Sequence, residues 1–126
     1  MESSLTDEKV NEICTHLEAT AEMIGLPLTY SFEALESIEN ILLGLKEAGE
    51  ESALNGASFM CGIYMGEIFR KNMEANWVFD EKQQEHALNI NNTLIYPVAK
   101  IRKFVKEPES EGLVFYAQVI TAKEKS

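Results

Sequence analysis

The sequence predicts a mostly helical α+β fold: about five helices around a central glycine-containing helix, with a small two- or three-stranded antiparallel sheet. Three observations predict it. Apolar residues recur at helical spacing over residues 10–24 and 32–45, which marks two amphipathic helices. Residues 53–69 are apolar on nearly every side, as in a helix enclosed by the rest of a fold. From Trp77 the period shortens. NWVFD, ALNI and TLIY are short β-prone runs, separated by the polar EKQQEH and by Asn91-Asn92.

Helix one should run from Thr6 to Ile24. Thr6 is a suitable N-cap, and Asp7 and Glu8 stand in the first turn, where the dipole favours acids. Val10, Ile13, Cys14, Leu17, Ala21 and Ile24 form its apolar stripe, and Gly25-Leu26-Pro27 supplies the stop. Helix two should begin after Ser31 as N-cap, bury Phe32, Leu35, Ile38, Leu42 and Leu45, and end at Gly49. Gly44 in its interior costs about 1 kcal/mol against alanine. Helix three, Glu51 to Met73, is the spine. Gly62 and Gly66 stack one turn apart, so another backbone can approach closely there. Asn91-Asn92 suits a two-residue hairpin turn, because asparagine tolerates positive φ. Pro97 is placed at the first position of helix four, with Val98, Ile101, Phe104 and Val105 inward. Pro108 and Ser110 should break and recap the chain. Helix five carries Leu113, Val114, Tyr116, Ala117, Val119 and Ile120, and TAKEKS should fray.

At 126 residues the chain is expected to form a single domain, 1–126, with enough length to bury a core unaided. No apolar run approaches the roughly 18 residues that span a bilayer. The acidic, polar start MESSLTDEKV lacks the basic and apolar regions of a secretory signal, so a cytoplasmic location is expected. Cys14 and Cys61 fit that compartment as free, packed thiols.

The net charge of −10 is segregated. Residues 1–51 hold 12 acids against two bases, and residues 52–126 hold nine of each. This balance opposes nucleic-acid binding, which depends on phosphate neutralisation, and opposes anionic membrane surfaces. Two readings of the acidic flank stand open. It is a solubilising face, or Glu33, Glu36 and Glu39 present a docking face for a basic protein partner. The basic run KIRKFVK in helix four concentrates four of eleven cations. It can pair with the acidic helices, pair with another subunit in a homodimer, stay solvated, or bind an anion.

Reactive motifs are scarce. Cys14 and His16 are two apart and do not share a helix face, and His86 falls in the polar turn. No H-x-x-x-H, C-x-x-C, calcium-type loop, G-x-S-x-G or phosphate loop occurs. No metal site, cofactor or catalytic residue is expected. Glu67 is the anomaly, a carboxylate on an apolar helix beside Gly66. Desolvated there, it needs a cation or several donors. Three readings follow. It is a satisfied acid that pins helix three to its neighbours; or it anchors a ligand groove with Tyr64, Arg70 and Trp77; or it is a lone catalytic acid.

The pattern Gly62-x-Tyr64-x-Gly66-Glu67-x-x-Arg70, followed by Trp77 and then YPVAKIRK, resembles a group of small bacterial domains of unknown function. They carry a similar helix, a downstream tryptophan strand and a proline-led helix with lysine. The resemblance spans about residues 56–120, and Asn76 stands where those domains often have glycine. It implies that Glu67, Arg70 and Trp77 form one structural cluster, and it implies no reaction. The function expected from the whole sequence is a non-enzymatic interaction or regulatory domain, for instance an immunity- or inhibitor-like protein. A small-molecule groove around Tyr64, Glu67, Arg70 and Trp77 is the alternative, and an enzyme is least favoured.

Overall fold

The computed structural model describes residues 5–125; the extreme termini of the sequence, including Ser126 of the TAKEKS tail, lie outside them. The element order is α1 (Asp7–Met23), α2 (Ala34–Ala48), α3 (Glu51–Asn72), β1 (Ala75–Asp80), β2 (Glu85–Ile90), β3 (Thr93–Ile95), α4 (Pro97–Lys106) and α5 (Leu113–Lys125). Five helices and a three-stranded antiparallel meander, in the order β1-β2-β3, give the mostly helical α+β fold the sequence predicts.

The ends of the elements follow local chemistry. Thr6 accepts the Lys9 N–H at 3.2 Å and caps α1. At the other end Gly25 (φ 78°) takes the left-handed conformation. The Gly25 N–H donates to Glu22 and the Leu26 N–H to Ala21, which matches the two carbonyls a helix end leaves open. Ile24 lies outside α1 and is 58% exposed, so the apolar stripe ends at Ala21. Ser31 does not cap α2. Its hydroxyl meets Thr29 at 2.9 Å, and a turn over residues 31–33 precedes the helix. Asn91 and Asn92 both have positive φ, which joins β2 to β3 as a tight hairpin. Pro97 opens α4. α5 runs on to Lys125 rather than fraying at Thr121.

Ser110 does not recap the chain for α5. The cap comes from α2: Glu39 Oε2 accepts the Leu113 N–H at 2.7 Å and the Val114 N–H at 3.3 Å. An anionic acceptor at a helix N-terminus satisfies open donors and meets the positive end of the dipole.

One buried cluster draws on all five helices and on β2 and β3. α3 runs through it, buried without interruption from Cys61 to Phe69, with α1, α2 and α4 against it. Fully covered side chains such as Leu35, Ile38, Ile63, Phe69 and Ile101 stabilise the fold by about 1.5–3 kcal/mol each.

The α3 glycines set how near its neighbours come. A Cβ on Gly62 would lie 2.6 Å from the Cα of Val98 in α4. One on Gly66 would lie 2.2 Å from the Trp77 ring. Gly44 and Gly56 have nothing within 4 Å. The four glycines should therefore divide by sign. Gly62→Ala and Gly66→Ala should destabilise by about 1–3 kcal/mol through overpacking. Gly44→Ala and Gly56→Ala should stabilise by about 0.5–1 kcal/mol through helix propensity. Denaturant melts of the four single variants check the split.

Candidate functional site

Glu67 lies on the enclosed stretch of α3 and is 4% exposed. Three donors meet it. Arg70 approaches from one turn ahead, with Nε donating to Oε2 at 2.7 Å and Nη2 to Oε1 at 2.8 Å. Trp77 donates Nε1–H to Oε2 at 2.9 Å from β1. Trp77 reaches it because of register. It pairs with Leu88, which in turn pairs with Ile95, and all three stand on the sheet face turned toward the core. The ring then lies over the space that Gly66 leaves open.

Burial alone pushes the Glu67 carboxyl up. The hydrogen bonds from Arg70 and Trp77, with the charges of Arg70 and Lys71, outweigh it and hold the group below its ordinary value. Arg70 is 41% exposed along its side chain, so solvent screens its Coulombic share. The partly buried indole N–H is the donor that reaches Glu67 from outside α3.

Tyr64, one turn earlier, faces a different neighbour. It is fully buried, and its hydroxyl donates to Glu18 of α1 at 2.7 Å. Its ring stacks on Tyr30 at 4.7 Å, and the Lys71 ammonium lies 4.7 Å from the other ring. Burial first, then the hydrogen bond to Glu18, push the Tyr64 phenol well above its usual range.

The structure thus brings Glu67, Arg70 and Trp77 into one cluster and places Tyr64 in another. A cleft of about 400 Å³ does open beside them, between α1 and α3, with Cys14, Tyr30, Glu67 and Arg70 in its wall. Tyr64 and Trp77 do not line it. The two aromatic rings thus stand apart from this cleft. Tyr64 is drawn inward by Glu18, and Trp77 is drawn onto Gly66.

Burial pushes the Cys14 thiol up to about 11 and the Cys61 thiol up to about 12, away from the thiolate a nucleophile needs. Both are free and buried. Among the described residues no three His, Cys, Asp or Glu side chains gather as a metal set. No helix among them is long and apolar enough to cross a membrane.

The acidic flank is open. Glu33 and Glu36 are exposed, whereas Glu39 is turned into the α5 cap. On α4, Lys100 pairs with Glu111, in the turn before α5, at 2.7 Å and lies over the Tyr116 ring. Its acid is thus not on α1 or α2, because the 107–112 turn folds Glu111 back against α4. Arg102, Lys103 and Lys106 are exposed.

A groove lies between α2 and α5. Phe32, Val114 and Ala117 are its apolar members, and Glu33, Glu36, Gln118 and Thr121 its polar ones, around about 520 Å³. On another side of α5, outside the groove's lining, Phe115 is 67% exposed and Val119 47% exposed. The sequence names Val119 only as one of the apolar residues of helix five. α5 is apolar on most of its circumference, so sequence period could not say which side the core takes.

Comparison with protein-family models, with curated proteins and with solved structures finds no match to this chain.

Two outcomes test the cluster. Glu67→Ala should destabilise by about 1–3 kcal/mol, since it strands the indole donor. A pH series gives the sign. Glu67 has a folded-state value depressed below 4.5, so its contribution is complete above pH 4.5 and is lost as pH falls through the folded value. The stability gap between wild type and Glu67→Gln should therefore narrow on acidification below pH 4.5, measured by urea melts that follow the single tryptophan.

Proposed function

We propose that this chain is a non-enzymatic interaction domain whose acidic N-terminal helices hold a basic protein partner, as an immunity- or inhibitor-like protein would. The outward placement of the charge excess carries the reading. Asp7, Glu8, Glu12 and Glu22 on α1, and Glu33, Glu36 and Glu47 on or beside α2, are all exposed. Only Glu18 and Glu39 of these two helices turn to internal hydrogen bonds, with Tyr64 and with the α5 backbone. Surface carboxylates gain little from one another and repel at short range. The same array attracts a cationic surface and raises association rates.

The small-molecule reading has less to support it, because both Glu67 oxygens already accept and Tyr64 lies outside the cleft. An enzyme reading has less to support it, because both thiols are buried and pushed up and the Glu67 carboxylate is already taken by Arg70 and Trp77.

The test is capture by the immobilised full chain at low and at about 1 M salt, where screening acts within roughly 3 Å. The companion variant is Glu33→Gln/Glu36→Gln. Glu39 is kept, because its loss would uncap α5 and confuse binding with stability. A basic protein retained at low salt, released at high salt, and retained several-fold less by the variant is the expected outcome. Equal retention by both chains would sink the acidic-face reading.

A further inference from the structure

The outer edge of β1 is open along the strand. The two-residue Asn91-Asn92 loop makes Ile90 and Thr93 a hydrogen-bonded pair, and Leu88 and Ile95 are the next such pair. Asn89 and Ala87 therefore turn their backbone groups the other way, to Asn76 and Val78 of β1. By the same alternation the N–H and C=O groups of Ala75, Trp77 and Phe79 point out of the sheet. Among the described residues no hydrogen bond outside the ladder reaches them. At the opposite edge β3 has three residues and turns only Leu94 outward.

Sheets discourage pairing at an edge with lysine, proline, a bulge or a very short strand. β1 uses none of these. ANWVFD carries neither lysine nor proline, and its six residues pair one to one with β2. Its only charge is Asp80, so the acidic excess of residues 1–51 is carried by other elements.

The strand is also complementary to itself. Two antiparallel copies bond only where outward residues face outward residues, which leaves two registers of good overlap about a two-fold axis. With Trp77 on the axis, each Glu74 stands opposite the second copy's Asp80, and like charges directly opposite repel. With Val78 on the axis, the pairs match. Trp77 faces the second copy's Phe79, an aromatic pair. Val78 faces itself. Exposed Asn76 faces the second copy's Asp80, whose carboxylate Tyr96 and the Lys82 and Gln83 amides already fix in place. A strand of another protein could use the same backbone groups, but its side chains would have to be matched separately. The second copy brings the match in its own sequence.

We propose that two copies of this chain pair β1 with β1 about a two-fold axis through Val78, joining two three-stranded meanders into one continuous antiparallel sheet. Trp77 and Phe79 exchange backbone hydrogen bonds with the second copy's Phe79 and Trp77. The proposal goes beyond the interaction-domain reading and does not depend on it.

The experiment follows sedimentation and amide hydrogen exchange of the full chain from micromolar to millimolar concentration. A monomer–dimer equilibrium is expected. The Asn76, Val78 and Asp80 amides, paired with β2, should exchange slowly throughout. The Trp77 and Phe79 amides should exchange fast in dilute protein and at least tenfold more slowly as the dimer forms. Ala75, beyond the overlap, should stay fast. Val78→Lys sets two ammonium groups on the axis and should weaken dimerisation at least tenfold, with the melting curve of the dilute chain retained. Asn76→Lys should strengthen the dimer several-fold and Asn76→Asp weaken it several-fold. Asn11→Lys and Asn11→Asp, at an exposed position of α1, correct both for net charge.

A chain that stays monomeric to millimolar concentration would overturn the proposal. So would slow exchange of Trp77 and Phe79 in the monomer, which would mean that the edge is already covered. A dimer that leaves these two amides fast, or that survives Val78→Lys, places the interface on another face and overturns it as well. Equal effects of lysine and aspartate at position 76, after correction, would overturn the register through Val78.

Discussion

The arrangement depends on one buried carboxylate. An ionised group at the position of Glu67, 4% exposed, costs several kcal/mol of desolvation if left alone. Donors must converge on it, and they come from two places with different consequences. Arg70 belongs to the same helix and fixes nothing beyond α3. Trp77 belongs to the sheet, so its hydrogen bond ties the meander to the spine. That bond requires the indole to lie flat against α3, and only glycine at position 66 leaves the room. One turn earlier Gly62 admits Val98, so the start of α4 rests on the same ridge. β3 ends at Ile95 and α4 begins at Pro97. β1, which brings Trp77, is linked to α4 through the β1-β2-β3 ladder, whose last strand is joined to α4 by Tyr96 alone.

The other side of α3 is fastened by different chemistry toward α1. Tyr64 reaches Glu18, Tyr30 stacks beneath it, and Asn72 donates to the Tyr30 carbonyl at 2.8 Å. Among the described residues no buried side-chain nitrogen or oxygen is left without a partner. This completeness argues about function. Polar groups matched inside the fold are poorly placed to bind something else without breaking an existing bond. At the surface, the groove between α2 and α5 sets Phe32 and Val114 beside carboxylates.

How much was legible in the sequence differs by the range of the interaction. Thr6, Gly25, Gly49, Asn91-Asn92 and Pro97 act within a few residues, and each punctuates the chain where its local chemistry requires. The glycine pair and Glu67 could be read as a close approach tied by hydrogen bonds, because glycine beside a buried acid has few other uses. What could not be read was which side chain arrives from afar. Glu39 caps a helix 74 residues away, and nothing in its own period separates it from Glu36. Tyr64 and Glu67 share a helix and differ in partner only because α1 supplies Glu18 to one and β1 supplies Trp77 to the other. Ser31 has the residue type of a cap, yet its hydroxyl had a nearer partner in Thr29. For α5 the period itself failed, since a helix apolar on most sides does not announce its buried side.

The division of labour among the carboxylates follows from geometry. Glu18, Glu39 and Glu67 each turn inward to donors that need them: a phenol, two helix N–H groups, and an indole with a guanidinium. Glu39 in this way satisfies the open N–H groups at the start of α5, and the other two satisfy partly buried side-chain donors. The remaining acids of α1 and α2 meet no such donor in the fold. Their mutual repulsion is screened over about 8 Å at physiological ionic strength, so it is a modest cost to the folded chain. A partner's cations would relieve that repulsion and contribute attraction at the same time. The fold thus separates the acids that build it from those that face outward. Glu33 and Glu36, of the outward group, edge the groove between α2 and α5.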